Sequence, residues 1–248
     1  MSTKRKSASE KTDTPASLSG HIFYGFDLDE EQQIFRDAIW DPGKRIIFAN
    51  ARAGTGKTTV ALGVANLLYS YGLYDGVAYI VAPTQEQKQG FLPGGTEEKT
   101  APYMEPLYEA IININLNPTQ VISSDDNIQA RKNGTAFIQC MPHTFLRGVN
   151  FENKVVIIDE AQNFYLSELK KTLTRMHDSC KVIVIGHTGQ MDLYRHPENS
   201  GFAAAIELFR QQEDDRVAIC ELTHNHRGWI STIADQLDTE INGVWKTY

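Results

Sequence analysis

The stretch Ile46-Ile47-Phe48-Ala49-Asn50-Ala51-Arg52-Ala53-Gly54-Thr55-Gly56-Lys57-Thr58-Thr59 constrains the fold more than any other part of this 248-residue chain. Four apolar residues at its start are typical of a strand that is covered on both faces. Further apolar residues after Thr59 predict a buried helix. A strand, a glycine loop and a helix in this order predict a phosphate-binding loop within an α/β fold.

The loop residues suggest individual roles. Gly54 and Gly56 let backbone N–H groups turn toward phosphate oxygens, with the positive end of the new helix behind them. Lys57 is then expected to reach the β- and γ-phosphates, and the Thr58 hydroxyl to bind Mg²⁺. The residues expected to hold the nucleotide are Ala53, Gly54, Thr55, Gly56, Lys57, Thr58 and Thr59. The usual pattern begins with glycine where this chain has Ala51, and the alternative interpretation is a chance glycine turn before a core helix.

A second buried strand, Val155-Val156-Ile157-Ile158, delivers two acids, Asp159 and Glu160, at its C-terminal end. Parallel sheets place their chemistry at this edge. We expect Asp159 to order the Mg²⁺ shell and Glu160 to orient and deprotonate the attacking water. A small-molecule kinase has to exclude that water, so the adjacent glutamate favours hydrolysis. The alternative is a pair of solvated acids at the start of a helix.

Three further polar residues are candidates because of their positions. Gln32 lies near the start of a helix upstream of the loop, where several nucleotide-driven motors hold the adenine edge; it could equally be a surface glutamine. Gln190 follows the strand Lys181-Val182-Ile183-Val184-Ile185 and is a candidate sensor of the γ-phosphate. His187 could be a metal ligand or a general base, but no second His or Cys at ligand spacing supports this, so we interpret it as a loop residue.

Composition indicates an ordinary soluble globular protein. There are 24 basic and 31 acidic side chains, a net charge of −7, so the surface as a whole does not indicate nucleic-acid binding, although a local basic groove remains open. Three widely spaced cysteines adjoining apolar runs indicate buried thiols in a reducing cytosol. No apolar run approaches membrane-spanning length and no signal peptide is recognised, so we expect a cytoplasmic protein without membrane contact.

The rest of the chain alternates between strand and helix patterns without a repeat or a second core. Residues 1–20 have the composition of a disordered basic and polar tail, and residues 21–248 are expected to form the folded domain. Within it, the patterns predict a strand over residues 77–81, a helix over 97–112, a strand over 135–140, a helix over 166–176 and a last helix over 229–241.

Together these segments resemble the PhoH-like family, which is related to the motor core of superfamily 1 helicases. The similarity covers roughly residues 24–240. The motifs that carry it are Ala53-Gly54-Thr55-Gly56-Lys57-Thr58, Gly90-Phe91-Leu92-Pro93-Gly94, Pro102-Tyr103-Met104-Glu105-Pro106-Leu107-Tyr108, Leu146-Arg147-Gly148, Ile158-Asp159-Glu160-Ala161-Gln162-Asn163 and Leu173-Thr174-Arg175. The chain departs from the family pattern at Ala51-Arg52, where Gly-Pro is usual, at Ala82-Pro83-Thr84, where Thr-Arg-Pro is usual, and at His187, where Asp is usual.

The resemblance implies a single RecA-like P-loop domain with a mostly parallel central sheet flanked by helices, which hydrolyses ATP with Mg²⁺ in the cytoplasm. The family has been linked to RNA metabolism, so the resemblance implies single-stranded nucleic acid, RNA more than DNA, as the partner. The family has also been linked to ring-shaped oligomers, so the resemblance implies a homo-oligomeric ring, possibly a hexamer. Helicase-like activity on RNA would follow. The residues expected near nucleic acid are Thr84, Lys88, Phe91 and Arg147, since a backbone-tracking site needs cations and a stacking ring.

The segment Leu222-Thr223-His224-Asn225-His226-Arg227 resembles the helicase segment whose arginine supplies positive charge to the transition state. Helicases present that arginine from a second motor domain, for which this chain is expected to be too short. Arg227 would then act within the domain or, as we hypothesise from the sequence, on the neighbouring subunit of a ring; a helix-start arginine paired with a surface acid is the alternative.

A slow nucleotide-dependent switch without motor activity is the competing function.

Overall fold

A six-stranded sheet forms the centre of the protein, seen in a computed structural model that describes residues 14–18, 23–82, 104–123, 128–146, 148–189 and 200–234. All of its strand pairs are parallel, and the strand order is β3-β2-β4-β5-β1-β6. The strands are β1 Ile46–Ala51, β2 Val77–Val81, β3 Ile138–Pro142, β4 Val155–Asp159, β5 Lys181–Gly186 and β6 Val217–Leu222. The predicted α/β architecture with a mostly parallel sheet is therefore confirmed.

Helices cover both faces of this sheet. Within the described ranges they are α1 Glu30–Trp40, α2 Lys57–Ser70, α3 Glu105–Asn113, α4 Pro118–Val121, α5 Ile128–Asn133, α6 Leu166–Leu173, α7 Gly201–Arg210 and α8 Trp229–Ala234, with 3₁₀ turns at His143–Phe145 and Ala161–Asn163. None of the helices described is long and apolar enough to span a bilayer.

The two faces of the sheet bury separate apolar clusters because side chains alternate along each strand. Along β1, Ile47 and Ala49 join a cluster with Phe35 of α1 and Leu62 of α2. Phe48 points to the opposite face, where the helices that follow β4 and β5 supply the cluster. Strands β2, β4 and β5 are buried along their whole length, which explains their continuous aliphatic sequences.

Two element boundaries differ from the sequence prediction for identifiable reasons. The strand predicted over residues 135–140 begins at Ile138, because Thr135 and Ala136 donate their N–H groups to the Ala130 carbonyl and so close α5. The helix predicted over residues 166–176 ends at Leu173, because the backbone at Arg175 and His177 hydrogen-bonds to Phe151 instead. The tail at residues 1–13 and the segments 83–103 and 235–248 lie outside the described residues.

Lys181, the first residue of β5, is a buried lysine with a defined partner. It is 1% exposed, and its Nζ donates a hydrogen bond of 2.6 Å to the backbone oxygen of Asp41. Burial lowers the pKa of Lys181 to about 8, an effect that the charge of Asp41 opposes only in part. The charged form is therefore costly in the folded protein at neutral pH.

We predict that Lys181→Met changes the pH dependence of stability. A lysine whose folded pKa lies below its unfolded value of about 10.4 makes the unfolded state bind more protons between these two values, so its contribution to stability rises with pH. The free energy of unfolding of the unchanged protein minus that of Lys181→Met should therefore rise from pH 7.5 to pH 10, by roughly 2–3 kcal/mol at most. Urea unfolding at several pH values measures this difference.

The matched control is Lys170→Met, which removes an exposed lysine of α6. Its stability difference from the unchanged protein should vary little over the same pH range. A Lys181→Met difference that stays flat or falls with rising pH would contradict the prediction.

Candidate nucleotide-phosphate site

Four strand ends meet at one edge of the sheet. The parallel order places β4, β5, β1 and β6 side by side, so the segments that leave their C-terminal ends are neighbours. These segments are the glycine loop after β1, the acids at the end of β4, the turn after β5 and the residues after β6. The two motifs that the sequence predicted to act together are thereby brought to the same place.

The glycine loop has the backbone conformation that an anion site requires. Gly54 and Gly56 have φ angles of 75° and 72°, in the left-handed region that other residues rarely adopt. Gly56 is the N-cap of α2 and offers no side-chain hydrogen bond, so the N–H groups of the first helical turn remain available to a ligand. Thr55 is buried, and its hydroxyl donates to the Arg52 carbonyl at 3.0 Å, which closes the loop.

Gln32 braces this loop from the side. Its Nε2 donates to the Thr55 carbonyl at 2.9 Å, and its Oε1 accepts from the backbone N–H of Asp29 at 3.2 Å. Asp29 in turn caps α1 by accepting from the N–H of Gln32 at 2.8 Å. Gln32 thus lies at the predicted place beside the loop, with its amide engaged by protein groups; its contact with adenine stays a prediction.

Asp159 is the most buried acid at this edge and is 0% exposed. Its Oδ2 accepts hydrogen bonds from the hydroxyls of Thr58, at 2.9 Å, and Tyr79, at 2.6 Å. Its Oδ1 accepts from the backbone N–H of Glu160 at 2.9 Å. These three donors come from α2, β2 and the end of β4, so a single carboxylate joins three elements. All three donors are neutral.

Tyr79 is a partner that sequence analysis missed. Burial first, and then the neighbouring Asp159 carboxylate, raise the pKa of Tyr79 well above its ordinary value of 10. The phenol therefore stays protonated and acts as a donor to Asp159. The available signal was a lone hydroxyl in the apolar strand Val77–Val81, because a buried tyrosine usually needs a hydrogen-bond partner.

The same group of residues fits a magnesium ion. Mg²⁺ prefers oxygen ligands and usually takes one or two from the protein. Thr58 Oγ1 and Asp159 Oδ2 are such oxygens, 2.9 Å apart at the start of α2. The three hydrogen bonds to the Asp159 carboxylate come from uncharged donors. A bound dication would therefore compensate its buried charge.

Glu160 lies beside the loop lysine. Its Oε1 is 3.6 Å from Lys57 Nζ, and its side chain is 38% exposed, in contrast to the closed environment of Asp159. The backbone of Glu160 is left-handed, with φ 52°, a conformation that costs a non-glycine residue roughly 1–3 kcal/mol. The two adjacent acids thus differ in environment, and their separate roles stay predictions.

Gln162 connects Glu160 to the turn after β5. Its Nε2 donates to Glu160 Oε2 at 2.6 Å, and its Oε1 accepts from the backbone N–H of His187 at 3.2 Å. Asn50 forms a second link, since its Oδ1 accepts from the backbone N–H of Thr188 at 3.0 Å. Neither amide was singled out from the sequence. They hold the loop that leads to Gln190, which itself lies outside the described residues.

Arg227 lies against the loop of its own chain. The N–H of His226 donates to the Gly54 carbonyl at 2.8 Å, and the N–H of Arg227 donates to Asn225 Oδ1 at 2.8 Å. A Cβ added to Gly54 would lie 2.5 Å from Asn225 Oδ1 and 3.0 Å from Arg227 Cγ, so the packing itself demands glycine. Arg227 therefore lines the cavity of its own chain, and its action on the γ-phosphate, within the domain or on a neighbour, stays a prediction.

The glycine loop, the start of α2 and the segment after β6 border a cavity of about 420 Å³. Its lining includes residues 54–60 of the loop and α2, together with Gln32, Glu160, His226 and Arg227, and residues of α3 close the far side. Cavities that hold small ligands are typically of this size. All predicted loop residues from Gly54 onward line it, and Ala53 precedes them.

The residues expected near nucleic acid, Thr84, Lys88, Phe91 and Arg147, lie outside the described residues.

The chain is similar to the proteins of one known family. The family model described as PhoH-like protein matches residues 27–231. Protein PhoH of Escherichia coli strain K12 is 34% identical over 188 residues, which cover 71% of this chain and 47% of that protein. A PhoH-like protein of Mycobacterium tuberculosis strain H37Rv is 29% identical over 218 residues, covering 88% and 56%. The chain thus spans about half the length of these curated relatives.

A solved structure shows the same fold at low sequence identity. The crystal structure of the HK97 bacteriophage large terminase matches with a TM-score of 0.50 and 12% identity, covering 90% of this chain and 45% of the terminase chain. The sheet, the glycine loop between β1 and α2, and the paired acids after β4 are the parts of a P-loop nucleotide-binding fold. With the family model matched across most of its length, this chain belongs to the PhoH-like protein family.

Proposed function

We propose that this protein hydrolyses ATP with Mg²⁺ and couples hydrolysis to single-stranded nucleic acid, RNA more than DNA. The observation that carries the proposal is the different environment of two adjacent acids, of which Glu160 lines the cavity and Asp159 is buried behind it against Thr58. Asp159 is buried and bonded to Thr58, whereas Glu160 is partly exposed and lies 3.6 Å from Lys57. We assign the metal to Asp159 and the attacking water to Glu160.

Each residue then has a defined task. The loop N–H groups and Lys57 bind the phosphates, and Thr58 and Asp159 would hold Mg²⁺, which neutralises charge on the β- and γ-phosphates when bound. Glu160 accepts a proton from a water whose oxygen bonds to the γ-phosphorus, while the bond to the β,γ-bridging oxygen breaks and ADP leaves. Lys57 and Glu160 form an ion pair. When a triphosphate binds Lys57, this ion pair breaks and the Glu160 carboxylate is released to accept the proton.

The coupling to nucleic acid rests on the family resemblance and on the predicted residues. Thr84 and Lys88 follow β2, whose Tyr79 touches Asp159, and Phe91 belongs to the family's own insertion. A single strand bound there would be connected to the metal-binding carboxylate through one strand of the sheet. Helicase-like movement on RNA is the corresponding motor function.

A slow nucleotide-dependent switch is the second candidate. His187 takes the place of the family's usual Asp at the end of β5, and its N–H is tied to Gln162, which also binds Glu160. This substitution would weaken coupling between the γ-phosphate and the hydrolytic site. The switch binds ATP tightly and turns it over slowly with or without RNA.

We predict that Glu160→Gln lowers phosphate release from ATP by roughly 10²- to 10⁴-fold, the typical contribution of a general base. ATP binding should persist, because the loop and Asp159 are unchanged. Single-stranded RNA should stimulate the unchanged protein and leave the variant near its basal rate. Steady-state phosphate release, with and without an RNA oligonucleotide and its DNA counterpart, measures both effects.

Glu207→Gln is the matched control, since Glu207 is an exposed acid of α7 that pairs with Arg210 at the surface. It should keep full, RNA-stimulated turnover. Turnover by Glu160→Gln equal to that of the control would contradict the role of Glu160, and negligible release by every protein despite tight ATP binding would favour the switch.

The position of Arg227 supports action at the cavity of its own chain. The ring-shaped oligomer remains a prediction from the resemblance, in which Arg227 would serve the neighbouring subunit. The two arrangements differ in one measurable respect. Only an arginine that acts on a neighbour can complement a chain that lacks it.

We predict that Arg227→Ala lowers phosphate release by roughly 10³- to 10⁵-fold, the range of arginine fingers. Mixing Arg227→Ala with Glu160→Gln should restore no activity, because each chain lacks one group at its own site. Arg210→Ala, an exposed arginine of α7, is the control and should be fully active. Recovery of turnover on mixing would show that Arg227 acts across a subunit boundary and overturn this placement.

A further inference from the structure

Two histidines and a carboxylate converge where the segment after β6 meets the start of α1. The ligand atoms of Asp29, His224 and His226 all lie within 4.8 Å of one another. His226 Nε2 is 2.9 Å from Asp29 Oδ2, and the two imidazole rings are edge to face with centroids 4.6 Å apart. Neither the P-loop chemistry nor the predicted nucleic-acid site uses these two imidazoles together.

The backbone beneath this cluster is fixed on both sides. Glu31 accepts hydrogen bonds from the Thr223 hydroxyl at 2.6 Å and from the N–H of His224 at 3.2 Å. The N–H of His226 donates to the Gly54 carbonyl. These hydrogen bonds hold the backbone of Thr223 and His224 against the first turn of α1.

The distances suit a metal ion after a small adjustment. Ligand atoms about 2.0–2.1 Å from one tetrahedral zinc lie roughly 3.3 Å from one another. The pair from Asp29 and His226, at 2.9 Å, is already close to this value. His224 is exposed, so rotation of its side chain can supply the remaining approach without moving the core.

The ligand set selects the class of metal. Imidazole nitrogens suit zinc, nickel and copper, whereas magnesium and calcium prefer an all-oxygen environment. Three protein ligands with two exposed side chains form an open site, in which water completes the coordination. The Mg²⁺ proposed at Thr58 and Asp159 would therefore not compete well for this cluster.

We propose that Asp29, His224 and His226 form a site for a transition-metal dication of the zinc class, distinct from the Mg²⁺ position. A bound ion links the N-cap of α1 to the segment that carries Arg227. Asp29 Oδ1 still caps α1 through the N–H of Gln32, and His226 still reaches Gly54, so the ion fastens one wall of the nucleotide cavity. The proposal does not depend on ATP hydrolysis.

The test uses the full chain, stripped of metals with a chelator and then titrated with Co²⁺ and Zn²⁺ in the absence of nucleotide. Visible absorption of Co²⁺ reports nitrogen ligation, Zn²⁺ competition gives the affinity, and the thermal midpoint reports stabilisation by the bound ion. The variants are His224→Asn and Asp29→Asn, the latter keeping a residue that can cap α1. His177→Asn, which changes an exposed histidine elsewhere, is the matched control.

We expect one Zn²⁺ to bind per chain and to raise the thermal midpoint. Both site variants should weaken binding by roughly tenfold or more through the loss of one ligand, while His177→Asn binds as the unchanged protein does. Failure to bind one equivalent of Zn²⁺, or equal weakening in the site variants and the control, would overturn the site and leave only a histidine–aspartate hydrogen bond. Phosphate release plays no part in this outcome.

Discussion

The buried carboxylate of Asp159 is the interaction on which the rest of the site depends. Removing a carboxylate from water costs several kcal/mol unless hydrogen bonds or a counter-charge replace its hydration. Thr58, Tyr79 and the backbone of Glu160 supply three hydrogen bonds, all from neutral donors. The carboxylate is therefore fully hydrogen-bonded, but these donors bring no positive charge. Such an oxygen ligand suits a hard dication such as Mg²⁺.

Hydrogen bonds connect Asp159 to the other segments at this edge of the sheet. The Thr58 bond fixes the first turn of α2, and with it the loop that begins this helix. Gln162 ties Glu160 to the end of β5, and the Gly54 carbonyl holds the segment after β6. Four strand ends thus share one hydrogen-bonded system around the cavity, and a change at the phosphates can reach each of them.

The parts of this site that follow a local sequence pattern could be predicted from the sequence. The apolar strands, the glycine loop and the acids after β4 are each encoded within a few adjacent residues, and α2 and β4 are found at the expected places. The contacts of Tyr79, Gln162 and Asn50 were not identified, because each joins residues on different strands or loops that only the sheet order brings together. The start of β3 was misplaced for a related reason, since the turn after α5 takes up residues that alternate like a strand.

The proposed hydrolysis requires that water, positioned at this cavity, attacks the γ-phosphate of ATP. The direct measurement is turnover of ATP in water enriched in ¹⁸O, with mass analysis of the products. We expect the oxygen from water to appear in free phosphate, ADP to carry none of it, and no other acceptor to be phosphorylated. Transfer of the phosphoryl group to another molecule, or ¹⁸O in ADP, would contradict it.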